Sequence, residues 1–194
     1  MSPITHLRVG WTVANSADLN RRERAMVTAA GVIPDLDGFG IIAELLTKNS
    51  SKPLLWWSGY HHVLGHNLGF CLFCVFLALF FTKQRMKVGL LVFLSFYLHL
   101  ICDVIGAKGP DGEQWSIPYF LPFSDSWRVT WEHQWGVNAW PNVLLTAVLI
   151  LPSVFLTIRR EFSLLGLIST KADRAVVKTL RDRFPSKVPN RTEH

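Results

Sequence analysis

The sequence predicts an all-α fold, an integral membrane helical bundle with about four transmembrane helices and one long loop. Hydrophobic residues make up 49% of the 194 residues and are concentrated in long runs with few or no charges. Lys and Arg collect between these runs, as they do in the loops of membrane proteins. The length leaves room for one domain, which we place at residues 1–170, followed by a basic tail at 171–194.

Three of the apolar runs are long enough to cross a membrane. They cover roughly residues 63–82, 88–107 and 138–158, and a transmembrane helix needs about 20 mostly apolar residues. Buried helices of a water-soluble protein are the alternative interpretation of such runs. Residues 1–24 are interpreted as a polar, partly amphipathic segment ahead of the first span.

A fourth and weaker span covers roughly residues 25–46 and contains acidic side chains. Pro34 interrupts it and two glycines follow closely, so we expect a break next to Asp35 and Asp37. A broken helix at membrane depth is tolerated where it lines a polar cavity. The longest connection, residues 106–137, is rich in Gly, Pro, Trp and Asp, and connections of that length are usually functional.

The positive charges predict how the chain is oriented in the membrane. Lys and Arg number 4 before the first span, 2 and 3 in the next two connections, 2 in the long loop and 9 after the last span. The richer segments alternate, so the positive-inside rule places both termini in the cytoplasm. Orientation and attraction to anionic membrane lipids account for the net charge of +6, which makes nucleic acid a less economical partner. A protein partner of the basic tail is an alternative.

Two pairs of side chains in or near these spans are spaced like metal ligands. His99 and Asp103 are four residues apart, as are His62 and His66, and this spacing puts both members of a pair on one face of a helix. Ionisable groups at membrane depth are costly and usually functional. The alternatives are a buried His–Asp hydrogen bond without metal for the first pair, and a histidine cluster at the membrane interface for the second.

The aspartates of the fourth span offer further ligands. Asp35 and Asp37 are carboxylates in an apolar surrounding, and carboxylates suit a divalent-ion site. A solvated loop is the alternative, in which case residues 25–46 do not cross the membrane. Together with the histidines, these aspartates predict a metal site inside the bundle.

The motifs together resemble those of the YdjM-like family. They are Thr5-His6, Pro34-Asp35-Leu36-Asp37, His61-x4-His66, His99-x3-Asp103 and Leu121-Pro122-Phe123-Ser124. The resemblance covers roughly residues 5–142. Members are described as inner-membrane metal-dependent hydrolases, some of them LexA-binding, so the resemblance implies a multi-pass protein of the bacterial inner membrane.

The resemblance also bears on the ligand set. His6 matches the first histidine of the family. The family pattern His-Arg-Gly-x-Thr-His-Ser becomes His61-His62-Val63-Leu64-Gly65-His66-Asn67 here, which leaves the choice between His61 and His62 open. The candidate metal ligands are His6, Asp35, Asp37, His61, His62, His66, His99 and Asp103. The predicted topology puts His6 on the cytoplasmic side, so either His6 is no ligand or residues 6–46 fold as a re-entrant or surface layer.

The site supports two principal hypotheses of function. The first is a hydrolase in which one or two divalent ions, zinc before others, activate water. Its substrate would be a phosphate ester of a lipid or other amphiphile, and its general base Asp35, Asp37 or Glu132. The second is a non-enzymatic membrane protein with a structural metal that acts as regulator or adaptor. An ion or proton transporter is a weaker third hypothesis, because the sequence has no inverted repeat.

Overall fold

The computed structural model describes residues 1–109 and 112–185, and its regular secondary structure is almost all helical. The last residues of the predicted tail, 186–194, lie outside the described residues. The helices are α1 (Pro3–Ser16), α2 (Arg21–Ala30), α3 (Gly40–Thr47), α4 (Trp56–Tyr60), α5 (Leu68–Phe81), α6 (Arg85–Gly106), α7 (Trp140–Val148), α8 (Ile150–Arg160) and α9 (Thr170–Arg183). Two 3-10 helices cover Ile33–Phe39 and Leu164–Leu167, and two short strands are β1 (Ile117–Pro118) and β2 (Arg128–Val129).

The first two helices pack along α6 inside the bundle. Ser2 caps α1, accepting a hydrogen bond from the backbone N–H of Thr5, and Asn20 begins α2 with a capping box. Val13 and Val27 share an apolar core with residues of α6. The interpretation of residues 1–24 as a polar segment ahead of the bundle is therefore wrong, because the small and apolar faces of these helices are buried against α6.

Helices α5 and α6 pair in the uncharged part of the chain. Asn67 caps α5, accepting a hydrogen bond from the backbone N–H of Phe70. The core between the two helices and the long connection contains Cys71, Phe96, Leu100 and Ile117. The three cysteines are free, as expected for packing residues.

Apolar helices occur where the sequence predicts spans. Arg85–Gly106 and Trp140–Arg160 are long and apolar enough to cross a membrane, and Leu68–Phe81 is a shorter apolar helix. The predicted weak span is a pair of helical segments, Arg21–Ala30 and Ile33–Thr47, bent by 55° at the expected break. Two helices qualify by length, or three if the bent pair is one span, so the number of crossings stays a prediction.

The long connection lies over the C-terminal end of α6. Strands β1 and β2 pair antiparallel within it. The side-chain amide of Gln134 donates a hydrogen bond of 2.8 Å to the carbonyl of Asp103, and the side-chain amide of Asn142 donates one of 2.9 Å to the carbonyl of Gly106. These contacts fix the loop beside the residues predicted to bind metal.

The two ends of α1 lie at different ends of the bundle. The ammonium group of Met1 pairs with Asp103, whereas the carbonyl of Asn15 accepts a hydrogen bond of 3.1 Å from Arg160, at the end of α8. His6 is therefore at the same end as Asp103, as in a layered arrangement of residues 6–46. The predicted cytoplasmic location of both termini remains a prediction.

Candidate metal centre

Four segments converge at the C-terminal end of α6. They are the start of α1, the 3-10 helix Ile33–Phe39, the turn 61–67 before α5, and the last two turns of α6. The cap at Asn67 ends the turn directly after His66. The 3-10 helix Ile33–Phe39 interrupts the helical segment at Asp35 and Asp37. Both aspartates contact histidines of the cluster from this interruption.

Asp103 is the centre of the cluster and is almost fully buried. One of its oxygens, Oδ1, lies 3.0 Å from Nε2 of His6. The other, Oδ2, lies 2.9 Å from Nε2 of His99 and 3.4 Å from Nε2 of His66. The Met1 ammonium also contacts Asp103.

Asp35 is a second carboxylate close to the same histidines. Its Oδ1 lies 3.7 Å from Nε2 of His99 and 3.9 Å from Nε2 of His66. Its other oxygen, Oδ2, is buried without a hydrogen-bond partner in the described part of the chain. A buried carboxylate oxygen without a partner is costly, unless a ligand or a water molecule binds it.

Asp37 orients two histidines of the turn. Its oxygens accept hydrogen bonds from Nδ1 of His61 at 2.8 Å, from Nδ1 of His66 at 3.2 Å and from the backbone N–H of Gly65 at 3.1 Å. A carboxylate bound to the second nitrogen of a ligand histidine fixes its tautomer and orientation. The contacts favour this positioning role for Asp37 over direct coordination.

Gly65 brings the turn against the aspartate segment. A Cβ atom at this position would collide with the backbone of Pro34, so the close approach requires glycine.

The hydrogen bonds assign the tautomers of the two central histidines. The carbonyl of Gly31 can only accept, so Nδ1 of His99, 3.0 Å away, carries a proton. Nδ1 of His66 likewise donates to Asp37. The two Nε2 atoms then face each other at 3.1 Å. Two neutral rings in these tautomers would oppose lone pairs, so the arrangement requires a cation, either a proton or a metal ion.

Electrostatics point the same way in the turn. Burial, aided by neighbouring His66, lowers the pKa of His62 to about 2. Neutral imidazole is the form of histidine that binds metals, so His62 is available as a ligand.

His62 adopts a left-handed backbone conformation, with φ of 65°. This conformation is uncommon for residues other than glycine, and is often linked to function. Here it lets two consecutive histidines serve different purposes. The ring of His62 stacks on His66 at 4.4 Å, while the ring of His61 packs against Trp57 at 5.3 Å.

The donor atoms form two groups that share Asp103. One contains His6, Asp35, His99 and Asp103, and the other contains His62, His66 and Asp103; within each group the donor atoms lie within 4.8 Å of one another. Imidazole nitrogens and carboxylate oxygens suit zinc, and the facing Nε2 atoms and the unpartnered Asp35 oxygen are satisfied by a cation. The residues present therefore fit a divalent ion.

Six of the eight predicted ligands thus converge, and the other two lie next to them. Asp37 and His61 belong to neither group among the described residues. Glu132 is exposed in the long loop, where its carbonyl accepts a hydrogen bond from Gln114, and the structure does not bring it to the cluster. The tautomer-fixing carbonyl of Gly31 and the contact of Gly65 were missed, because backbone groups leave no signal in the spacing of side chains.

A pocket of about 440 Å³ opens onto the cluster. Asp35, Asp103, His61 and His62 are among its lining residues, and most of the others are apolar. Pockets of this volume typically accommodate small-molecule ligands.

The comparisons with known proteins give one match. A family model described as YdjM inner membrane protein matches residues 1–174. No curated protein and no solved structure matches the chain.

Proposed function

The chain belongs to the YdjM inner membrane protein family, and from this premise we propose that it is a metal-dependent hydrolase of the inner membrane. The proposed substrate is a phosphate ester of a lipid or other amphiphile. The observation that supports it best is the pair of Nε2 atoms of His66 and His99, which lie 3.1 Å apart. The Nδ1 atoms of the two rings donate to other groups, Asp37 and the carbonyl of Gly31, so both Nε2 atoms are left as acceptors. A structural metal in a regulator would need the same donors, but not the open pocket beside them.

Five side chains would hold one or two divalent ions. They are His6, His62, His66, His99 and Asp103, which leaves Asp35 beside them as a base. Asp103 lies in both groups: its Oδ1 faces His6, and its Oδ2 faces His99 of the first group and His66 of the second. When bound, the metal lowers the pKa of a water molecule and polarises a phosphoryl oxygen.

The remaining chemistry falls to groups of this chain. Asp35 lines the pocket and has the unpartnered oxygen Oδ2. We therefore assign Asp35 the role of general base, which accepts the proton of the attacking water. Both oxygens of Asp37 accept hydrogen bonds from the turn 61–67. We therefore assign Asp37 a positioning role, in which it orients His61 and His66. Glu132 is the remaining candidate base, and would have to move with the long loop.

Turnover of a substrate panel tests this proposal. Phospholipid, isoprenyl-phosphate and nucleotide substrates are supplied to the metal-loaded protein and to Asp35→Asn, Asp37→Asn and Glu132→Gln. We expect turnover of at least one amphiphilic phosphate, reduced about 10²–10⁴-fold by Asp35→Asn while metal remains bound. Wild type that carries metal and turns over none of them would contradict the hydrolase proposal.

The second candidate function is a structural metal in a regulator or adaptor. Helix α9 favours it, because none of its residues is buried and it exposes basic side chains such as Lys171, Arg174 and Lys178. An acidic protein surface or anionic lipid would be its partner. Two results together would support this function. The metal-loaded protein would be inactive, and a partner that copurifies with membranes containing the wild-type protein would be lost when these three residues are replaced by Ala.

A further inference from the structure

We propose that the pocket beside the metal cluster binds the apolar chain of the substrate, which carries one small phosphate headgroup. The inference rests on the proposed function and specifies its substrate class. The walls of the pocket are mostly apolar. Leu36, Phe39 and Ile41 form one side, and Trp57 and Trp115 are also among the lining residues. Aromatic and aliphatic walls bind alkyl or isoprenyl chains by excluding water.

Ionisable side chains also line the pocket. Asp35, His61, His62 and Asp103 line it together with the apolar residues, so a ligand within it would have one end at the metal donors. The lining includes no Lys or Arg side chain from the described part of the chain. Arg clamps are the usual means of binding polyanionic phosphates, and their absence from this lining favours a single phosphate held by the metal over a nucleoside triphosphate or diphosphate.

The mouth of the pocket continues into an exposed apolar surface. Leu36 and Phe39 are 53% and 64% exposed, although they line the pocket. Farther along α3, Ile42, Leu45 and Leu46 are exposed as well, and α3 buries none of its residues. In a membrane protein such a surface meets lipid. A chain can therefore pass from the bilayer into the pocket without crossing water.

The layer that carries this surface is fixed to the aromatic wall. A Cβ atom at Gly40 would lie 2.8 Å from the backbone of Trp56 and Trp57, so α3 and α4 pack at backbone distance. The ring of Trp57 packs against His61 at 5.3 Å and edge-on against Trp115 at 5.7 Å. The apolar wall and the donor cluster are thus parts of one packed unit, which suits a ligand that contacts both.

Binding of alkylphosphonates tests the inference without depending on turnover. Methyl-, ethyl-, propyl- and butylphosphonate are titrated into zinc-loaded protein by calorimetry. These probes cannot be hydrolysed at the carbon–phosphorus bond, and their chains are short enough to remain in water. We expect affinity to rise by up to about four-fold for each added methylene, the value for full burial.

Matched variants locate the chain. The double variant Leu36→Ala/Phe39→Ala removes pocket contacts, and Leu90→Ala/Phe123→Ala removes the same residue types from exposed positions outside the pocket. We expect the gain per methylene to fall below about two-fold in the first and to be unchanged in the second. Methylphosphonate should bind all three proteins equally.

Three results would overturn the inference. Equal affinity for all four phosphonates would exclude a chain site but leave the hydrolase proposal standing. A chain-length preference that survives Leu36→Ala/Phe39→Ala and disappears in Trp127→Ala would place the chain in the second apolar pocket, between α6 and the strands, which Tyr97 and Trp127 line. Metal-loaded protein that binds none of the phosphonates would contradict both proposals.

Discussion

The Nε2 atoms of His66 and His99 lie 3.1 Å apart in the interior of the bundle. Each ring is held from behind by a partner that accepts its Nδ1 proton, Asp37 for His66 and the carbonyl of Gly31 for His99. The two acceptor nitrogens can share a proton or a metal ion, but they cannot face each other without a cation. This relationship makes the cluster a candidate cation site, and the nearby carboxylates of Asp35 and Asp103 would suit a divalent ion.

Asp37→Asn should weaken metal binding without removing a ligand. The amide can still accept one hydrogen bond, but it cannot accept from His61, His66 and Gly65 as the carboxylate does. Loss of such an orienting partner typically costs about 10–100-fold in metal affinity. Zinc affinity measured with a competing chelator checks this, with Asp125→Asn, which removes an exposed ion pair with Arg128, as the control.

An affinity unchanged by Asp37→Asn would exclude the orienting role. A complete loss of metal would instead indicate that Asp37 is itself a ligand, as the sequence alone allowed. The distinction is sharp because the control also replaces an aspartate by asparagine.

Gly65→Ala should damage both the fold and the metal site. The added methyl group meets the backbone of Pro34, and inserting a methyl group into a packed contact typically costs about 1–3 kcal/mol. Separating the turn from the aspartate segment should also lower zinc affinity. Thermal unfolding in detergent and chelator competition measure the two effects.

Gly59→Ala is the matched control for this substitution. Nothing lies within 4 Å of a Cβ atom at Gly59, so the midpoint of unfolding and the zinc affinity should both match wild type. If Gly65→Ala behaved like Gly59→Ala, the close approach of the turn to Pro34 would be refuted.

The sequence predicted those parts of the structure that depend on local composition. The break at Pro34 and the two long apolar helices follow from proline chemistry and from uncharged runs, and the structure confirms both. The position of α1 could not be predicted, because its burial depends on packing against α6, which no local pattern encodes. For the same reason, the predicted topology placed His6 far from Asp103, whereas the two are 3.0 Å apart.

The choice between His61 and His62 shows a second limit of the sequence. Helical spacing favours His62 with His66, and the family pattern favours His61. The structure puts His62 in a donor group with His66 through its left-handed backbone. Backbone conformation at a single residue brings the His62 ring to these donors, which residue spacing does not reveal, and which ring binds a metal stays a prediction.

Reporter fusions test the orientation of the bundle. The basic residue Arg160 at the end of α8 contacts Asn15 and Asp18, at the end of α1 opposite Met1 and the cluster. The positive-inside rule then places this end in the cytoplasm and the long loop outside. A reporter after His194 should be active in the cytoplasm, and one inserted between Asp125 and Ser126 should be active only outside it. The reverse pattern would invert the membrane orientation and leave the cluster itself unaffected.

Metal content tests the central claim most directly. Protein purified in detergent without added metal is analysed for zinc and other divalent ions, together with His99→Gln, Asp103→Asn and the control His133→Ala, whose ring packs on Trp131 outside the cluster. We expect about one or two ions per chain in wild type and in the control. Both cluster variants should lose most of this metal, because their affinity should fall by at least 10-fold, and even second-sphere changes cost about that much. Folded wild-type protein that neither carries nor takes up a divalent ion, or unchanged metal content in both cluster variants, would contradict the account.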